Sequence, residues 1–234
     1  DKKIGGGTMS RSGVKCPCCG VIATMGDVRQ EGQAGRLDLK MTAVAIDAPE
    51  GKAYRIPTSH ELSLALASAE AANEVFATVP YGLPEEPTPR GGNGASRAFS
   101  VHGYGMSTWA KLFTPRQLLA LGTLIVASRR AMESMRDQGY QGIWIEALNA
   151  YLACAFDRFL DFANCGVQWK IDVPTINHSL VRFALPITWD FAEGNAIGSL
   201  AGSYSLCYER ICSGLETYRA WNVGGLEPKC IRSS

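Results

Sequence analysis

The hydrophobic pattern changes twice along the 234 residues of this chain. Short alternating runs at 21–28, 37–47 and 53–56 predict β-strands in a first part, residues 1–57. Helical spacing then begins at 58–76, where Thr58 or Ser59 can act as the N-cap and Glu61 adds early negative charge. Residues 78–104 contain proline and glycine at a density that sustains neither a ladder nor a helix, which predicts a linker.

The remaining residues, 105–234, are predicted to be mostly helical. Thr114 followed by Pro115 marks the start of a helix that runs to about Gln138. A second helix is predicted at 142–162, apolar nearly all round and therefore deeply buried, a third at 175–191 and a fourth at 202–223. We therefore expect an α+β fold that is predominantly α-helical, in three parts bounded at 1–57, 58–104 and 105–234.

Composition and charge narrow the class of protein only moderately. The chain is 46% hydrophobic and 19% charged, as expected for a protein that buries a core. Its formal net charge of +1 means that any DNA contact needs a local basic face. No signal peptide pattern opens the sequence, and the apolar run at 143–156 is too short and too polar to span a bilayer. We expect a cytoplasmic location and no membrane partner, and neither end of the sequence resembles a natural domain edge, which suggests a fragment.

Three of the eight cysteines stand together in Cys16-Pro17-Cys18-Cys19-Gly20. A C-x-x-C spacing with Pro after the first cysteine and Gly after the last is typical of a zinc knuckle, in which backbone N–H groups point at thiolate sulfur. Cys16 and Cys19 are the predicted zinc ligands, and no second C-x-x-C follows, so the prediction is half of a zinc ribbon. A decayed ribbon and a redox dithiol remain open. Cys154, by contrast, is expected in the core.

Aromatic, acidic and amide side chains gather in Trp-Asp-Phe-Ala-Glu-Gly-Asn at 189–195, a pattern typical of the wall of a ligand site. The candidates are Trp189, Asp190, Glu193 and Asn195. Gly194 is expected to let the backbone bend, or to be the C-cap of a helix that ends here.

Arg116 is unusual because it lies at a helix start, where the helix dipole disfavours a cation. It would be tolerated beside a carboxylate, Asp190 or Glu193, or beside a ligand phosphate. The three histidines, at positions 60, 102 and 178, have no metal-ligand spacing, and no G-x-S-x-G is present. Hydrolysis by a nucleophilic triad therefore has no support.

Four segments in this order resemble one family. They are the knuckle at 16–20, Gly-Lys-Ala-Tyr-Arg-Ile-Pro-Thr at 51–58, Trp-Ala-Lys-Leu-Phe-Thr-Pro-Arg-Gln-Leu-Leu-Ala-Leu at 109–121 and Pro-Ile-Thr-Trp-Asp-Phe-Ala-Glu-Gly-Asn at 186–195. Together they are similar to the zinc-ribbon-containing adenine-specific DNA methyltransferases found with prokaryotic defence genes. The likeness covers nearly the whole chain, and the segments Leu-Phe-Thr-Pro-Arg-Gln-Leu and Trp-Asp-Phe-Ala-Glu are the most specific.

The resemblance implies methyl transfer from S-adenosylmethionine to the exocyclic amine of a flipped-out adenine in DNA, on a Rossmann-like sheet. Asp-Pro-Pro-Tyr, which holds the adenine in this family, occurs nowhere in the chain, and no cofactor loop follows an apolar strand. The chain also has Asn195-Ala196 where the family usually has Asn-Pro. We therefore expect a central fragment, inactive alone, whose helices pack on a missing sheet. The alternative is a non-enzymatic zinc-ribbon module that binds nucleic acid or a defence-complex partner.

Overall fold

Five α-helices and three small antiparallel sheets form the fold of residues 7–221, the part of the chain that the computed structural model describes. The helices are α1 (Met25–Gln33), α2 (Ser59–Phe76), α3 (Pro115–Asp137), α4 (Gly142–Phe162) and α5 (Tyr204–Trp221). The strands are β1 (Met9–Ser10), β2 (Gly13–Lys15), β3 (Ile22–Thr24), β4 (Val44–Ala48), β5 (Gly51–Arg55), β6 (Trp169–Lys170) and β7 (Thr175–Ile176). Three 3-10 turns cover Gly94–Ala98, Val101–Tyr104 and Trp109–Leu112. About 47% of the structure is helical, so the predicted α+β class is confirmed.

Three of the helices begin with the same local device, a capping box. At the start of α3 the Thr114 N–H donates to Gln117 Oε1 at 2.9 Å, and the Gln117 N–H donates to Thr114 Oγ1 at 3.2 Å. Thr58 caps α2 in the same way. Reciprocal bonds of this kind satisfy two backbone N–H groups that the first helical turn leaves without partners. The predicted helix starts at 58 and 114 are therefore confirmed.

The core lies where α3, α4 and α5 meet. Its most buried members are Leu121 on α3, Phe159 on α4 and Cys207 on α5, together with Val167 and Ile176 from the segment between α4 and α5. Burial of such side chains from separate elements is what holds α3, α4 and α5 together.

A glycine lets α2 lie close to α3. A Cβ at Gly122 would stand 2.8 Å from Val75 Cγ1 and 2.9 Å from Phe76 Cε2, closer than real Cβ atoms approach. The side of α3 that carries this glycine therefore receives the last turn of α2 directly.

The third predicted helix, at 175–191, is wrong. Only β7 is regular there, and the chain from 177 to 203 has no helix or strand. Pro186 explains the failure, because proline lacks an N–H and biases the preceding residue towards extended backbone. Leu185 accordingly forms a β-bridge with Phe99 instead of a helical turn. The fourth predicted helix is confirmed as α5, and the predicted end at Val223 lies outside the described residues.

Three other predictions for the helices and strands are corrected. The strand predicted at 37–47 begins only at Val44, which pairs with Arg55, the last residue of β5. Residues 37–43 have no partner strand within residues 7–221, because Pro57 follows β5 and has no N–H to donate to a β-ladder. Residues 25–33 form α1 rather than the end of a strand; Thr24 and Asp27 form its capping box. The helix at 142–162 is only partly buried, since its first half is largely exposed, and Cys154 on it is exposed rather than in the core.

Apolar side chains remain uncovered over much of the molecule. Examples on α2 and α4 are Leu62, Leu64, Leu66, Ile143, Trp144, Leu148 and Tyr151. The accessible surface is 16849 Å², whereas a compact monomer of 25.2 kDa has about 10,000 Å². Even a fully extended segment of 19 residues, the number outside 7–221, adds only about 3,000 Å². The excess surface therefore belongs in large part to the described fold.

None of the helices within residues 7–221 is both long and apolar enough to cross a bilayer.

Candidate functional site

Arg116 and Glu193 form a bidentate ion pair across 77 positions of sequence. Arg116 Nε donates to Glu193 Oε2 at 2.9 Å, and Nη2 donates to Oε1 at 2.5 Å. The side chains are 35% and 22% exposed, so water screens the pair only partly. The carboxylate compensates for the unfavourable position of a cation in the first turn of α3. Of the partners suggested for Arg116 by the sequence, the structure selects Glu193.

A buried thiol lies in the electrostatic field of this pair. Burial, together with the negative charge of Glu193 and against the opposing charge of Arg116, raises the pKa of Cys165 to about 12. The Cys165 N–H donates to the Leu112 carbonyl at 2.7 Å, which joins the end of α4 to the entry of α3. A thiol with such a pKa stays protonated at neutral pH, so Cys165 is a packing residue and not a nucleophile.

Trp189, four residues before Glu193 in sequence, is exposed. Its ring contacts Tyr104 edge to face, with centroids 5.2 Å apart and an interplanar angle of 85°. The Arg29 guanidinium stands 5.2 Å from the centroid of the Tyr104 ring. Neither Arg29 nor Tyr104 was a candidate from the sequence, because both come from segments with no motif of their own.

The other candidates of the 189–195 segment have different surroundings. Asp190 is exposed and has no hydrogen-bond or ion-pair partner within residues 7–221. Asn195 is exposed and turns back on its own segment, where its Oδ1 accepts the Ile197 N–H at 3.2 Å. Asn195 therefore shapes a local turn, a common use of asparagine.

Gly194 is neither a helix C-cap nor a residue with a left-handed backbone. Instead, a Cβ at Gly194 would lie 2.7 Å from Ile176 Cδ1, and one at Gly202, whose φ is +87°, would lie 2.1 Å from the same atom. The Ile176 side chain thus fits between two glycines. This contact holds the 189–195 segment against the core.

A second polar network, which the sequence did not predict, fixes the loop after β7. Asp161 on α4 accepts the Leu180 N–H at 2.6 Å and the Ser179 N–H at 3.1 Å, and its Oδ2 lies 2.8 Å from His178 Nδ1. Burial opposes ionisation of Asp161, but the hydrogen bonds from Leu180, His178 and Ser179 outweigh it and lower its pKa. His178 lies in this loop and not on an apolar helix. Its ring packs against Phe162 at a tilt of 41°, with centroids 4.3 Å apart.

The cavity beside these residues is small. It measures about 60 Å³ and is lined by residues that include Leu112, Asn164, Cys165 and Ser179. Ligand sites occupy roughly 300 to 1,000 Å³, so this cavity has room for water molecules but not for a nucleobase. A groove of about 330 Å³ also exists, but a single helix, α5, forms it. Neither cavity is lined by the glycine-rich turn of a Rossmann-like cofactor site, so neither fits S-adenosylmethionine.

The cysteine segment forms the turn of the β2–β3 hairpin. The Cys16 N–H donates to the Val21 carbonyl at 2.8 Å, the Gly20 N–H donates to the Cys16 carbonyl at 2.9 Å, and Gly20 has a φ of +75°. Backbone N–H groups of Cys19 and then Cys18 donate to the Cys16 sulfur and lower the pKa of its thiol. The lowered pKa makes the Cys16 thiolate form more readily, and thiolate is the form of cysteine that binds metals.

The zinc half site is not completed within the described part of the chain. Residues 7–221 contain no group of three or more His, Cys, Asp or Glu side chains placed to hold a metal ion. A tetrahedral zinc site has four ligands, and Cys16 and Cys19 could supply two of them. Zinc binding at these two cysteines therefore stays a prediction.

Comparison of the chain with protein-family models, with curated proteins and with solved structures found no match.

Proposed function

We propose that this chain is the central part of an S-adenosylmethionine-dependent DNA adenine-N6 methyltransferase and that it transfers no methyl group by itself. The observation that carries the proposal is the Arg116–Glu193 ion pair. It joins the two segments on which the family resemblance is most specific, Leu-Phe-Thr-Pro-Arg-Gln-Leu and Trp-Asp-Phe-Ala-Glu. Two motifs far apart in sequence that share a partly buried bidentate contact act as one structural unit.

The uncovered apolar surface supports the same proposal. The leucines of α2 and the first half of α4 are exposed although their residue types favour burial. Exposed patches larger than a few hundred square ångströms mark places where another surface packs. In the proposed enzyme, the methyltransferase sheet covers these helices.

The candidate residues then have supporting roles. Arg116 and Glu193 hold α3 against the 189–195 segment, and Asn195 shapes its turn. Trp189 and Asp190 remain accessible to a substrate. Cofactor binding and the chemical step are assigned to parts that this sequence does not contain, so no catalytic residue is proposed here.

Incubation of the chain with labelled S-adenosylmethionine and adenine-containing duplex DNA tests the proposal. We expect no incorporation above background under conditions in which an active adenine methyltransferase labels the same DNA. Turnover by the chain alone would contradict its role as a non-catalytic scaffold. An Asp-Pro-Pro-Tyr motif in the continuous reading frame after Ser234 would support the proposal, and a stop codon there without one would contradict it.

The knuckle geometry favours a second candidate, a zinc-ribbon module that binds nucleic acid or a protein of a defence complex. This function requires one zinc ion per chain held by four thiolates, whereas the scaffold predicts weak or substoichiometric zinc at Cys16 and Cys19 alone. Metal analysis of the purified chain separates the two. Replacing Cys16 with serine should abolish the bound zinc in either case, while serine at the exposed Cys154 is the matched control.

A further inference from the structure

Three side chains from three separate segments meet at one accessible patch, which we call the Trp189 platform: Arg29, Tyr104 and Trp189. Tyr104 lies in the middle and is only 8% exposed, while Trp189, edge to face with it at 5.2 Å, is 42% exposed. Arg29 stands over the Tyr104 ring with its Cζ 5.2 Å from the centroid. Trp189 and Arg29 therefore both contact the Tyr104 ring, and Trp189 keeps 42% of its surface exposed.

Backbone contacts fix Arg29 in this position. A Cβ at Gly32 on α1 would lie 2.3 Å from the Tyr104 carbonyl oxygen, and one at Gly105 would lie 2.0 Å from the Gly32 oxygen. Because both positions are glycine, α1 and the Val101–Tyr104 turn can approach this closely. The Arg29 stem lies against the same turn, at 3.9 Å from the Cβ position of Gly103.

Trp189 is fixed by a second set of hydrogen bonds. The Leu185 N–H donates to the Ala98 carbonyl at 2.9 Å, and the Ser100 N–H donates to the Leu185 carbonyl at 2.9 Å. The Ile187 N–H donates to Ser100 Oγ at 2.9 Å. The segment that carries Trp189 is thus tied to the turn that carries Tyr104, so the platform exists before any ligand binds.

The charge of Arg29 is not neutralised inside the described fold. Within residues 7–221 no carboxylate lies within ion-pair distance of its guanidinium. An exposed indole and an unpaired guanidinium that contact the same tyrosine ring can serve the two parts of a nucleotide, since aromatic rings stack on bases and arginine binds phosphates. Bases inside a duplex are stacked on each other, so only an unpaired base can lie on the indole.

We propose that the Trp189 platform binds single-stranded DNA, with one unpaired base stacked on Trp189 and the adjoining phosphate at Arg29. The choice of DNA rests on the proposed function, whereas the stacking geometry stands independently of it. A net charge of +1 leaves no general attraction to nucleic acid, so a local site of this kind is what DNA contact by this chain requires.

Fluorescence anisotropy with the whole chain tests the proposal. The probes are a labelled oligothymidine of about 12 nucleotides and an abasic strand with the same number of phosphates. We expect the base-containing strand to bind at least about tenfold more tightly. Replacing Trp189 with alanine should remove that advantage without changing affinity for the abasic strand. Replacing Arg29 with glutamine should weaken both and lower the slope of log affinity against log salt by about 0.7.

Two controls keep the result interpretable. Trp144→Ala removes an indole that is 61% exposed on α4 and should leave the base preference unchanged. Arg130→Gln removes an exposed arginine on α3 and should leave the affinity for both strands and the salt slope unchanged. Should Trp189→Ala disturb the fold, Trp189→Phe and Trp189→Leu replace it. The phenylalanine variant should then retain most of the base preference that the leucine variant loses.

Equal affinity for the two strands would overturn the proposal, as would an equal loss of base preference in Trp144→Ala and Trp189→Ala. Methyl transfer by the chain alone would overturn the scaffold function and leave this binding result unaffected. Conversely, absence of a base preference would rule out base binding by the Trp189 platform and leave the methyl-transfer test unaffected.

Discussion

Breaking the Arg116–Glu193 ion pair should cost more stability than breaking an exposed pair of the same geometry. Two unit charges about 4 Å apart attract by roughly 4 kcal/mol at an effective dielectric constant of about 20. Removing the two groups partly from water offsets some of this attraction. With exposures of 35% and 22%, the pair lies between surface and buried cases, so we expect a coupling free energy of about 1–3 kcal/mol.

A double-mutant cycle measures this coupling. The variants are Arg116→Ala, Glu193→Ala and the double variant, and the free energy of unfolding is obtained from urea titrations followed by circular dichroism. Arg36 and Glu31 are the matched control, since they form a bidentate pair at 2.6 and 2.8 Å but are 62% and 47% exposed. Their coupling should be clearly smaller than that of Arg116 and Glu193, because water screens exposed charges more completely.

Reversal of the charges gives an independent check. Arg116→Glu alone places two carboxylates together, and addition of Glu193→Arg should restore most of the lost stability. The restored pair would also place a negative charge at the start of α3, which the helix dipole favours. The reasoning is refuted if the cycle at 116 and 193 gives no more coupling than the exposed control pair, or if the reversed pair shows no rescue.

Three further predictions concern stability. Thr114→Ala should cost about 1 kcal/mol in urea unfolding through loss of the α3 cap, while Thr114→Ser should cost much less; equal losses would contradict the capping role. Gly202→Ala should destabilise strongly, because φ is +87° and the new Cβ would meet Ile176, whereas Gly214→Ala in open space on α5 should stabilise by up to about 1 kcal/mol. Hydrogen bonds from the Arg55 guanidinium hold the pKa of Glu61 at about 2. The contribution of Glu61 to the free energy of unfolding is therefore complete above its ordinary pKa of 4.5, and it is lost as the pH falls from 4.5 through 2. A carboxyl titration by NMR checks this value, and Glu61→Gln should flatten the acid limb of the stability profile.

The starts of the long helices were predictable because they depend on neighbours in sequence. Thr58 with Glu61 in the first turn, and Thr114 followed by Pro115, predicted the two starts, and the capping boxes of α2 and α3 form there. The same signal, Thr24 with Asp27, could have revealed α1, but the alternating residues around it favoured a strand. Local hydrogen bonds of this kind do not need the rest of the fold.

Arg116 shows how a site residue could be inferred from local physics. A cation in the first turn of a helix needs compensation, and that requirement led to Glu193 as one of three candidate partners. To choose Glu193 rather than Asp190 as the partner, one must know how the chain runs from Arg116 to the 189–195 segment. Periodicity alone does not determine that path. Arg29, Tyr104 and Asp161 were missed for the same reason, since each acts through contacts with distant segments.

The predicted helix at 175–191 failed because tertiary contacts overrode its apolar spacing. Pro186 weakened the helix, and the backbone of Leu185 found partners at Ala98 and Ser100 that no local pattern indicates. Phe183, at the start of this apolar run, is 92% exposed. Apolar periodicity predicts which face of an element could be buried, but a second element has to be present to bury it.

The sequence by itself determined the α+β class, the starts of α2 and α3 and the tight turn at 16–20. All of these depend on residue types within a few positions of each other. Only the tertiary structure decided that α4 is half exposed, that Glu193 is the partner of Arg116 and that Trp189 meets Tyr104 and Arg29. Those outcomes depend on where distant segments come to lie, because burial and ion pairing are properties of neighbours in space.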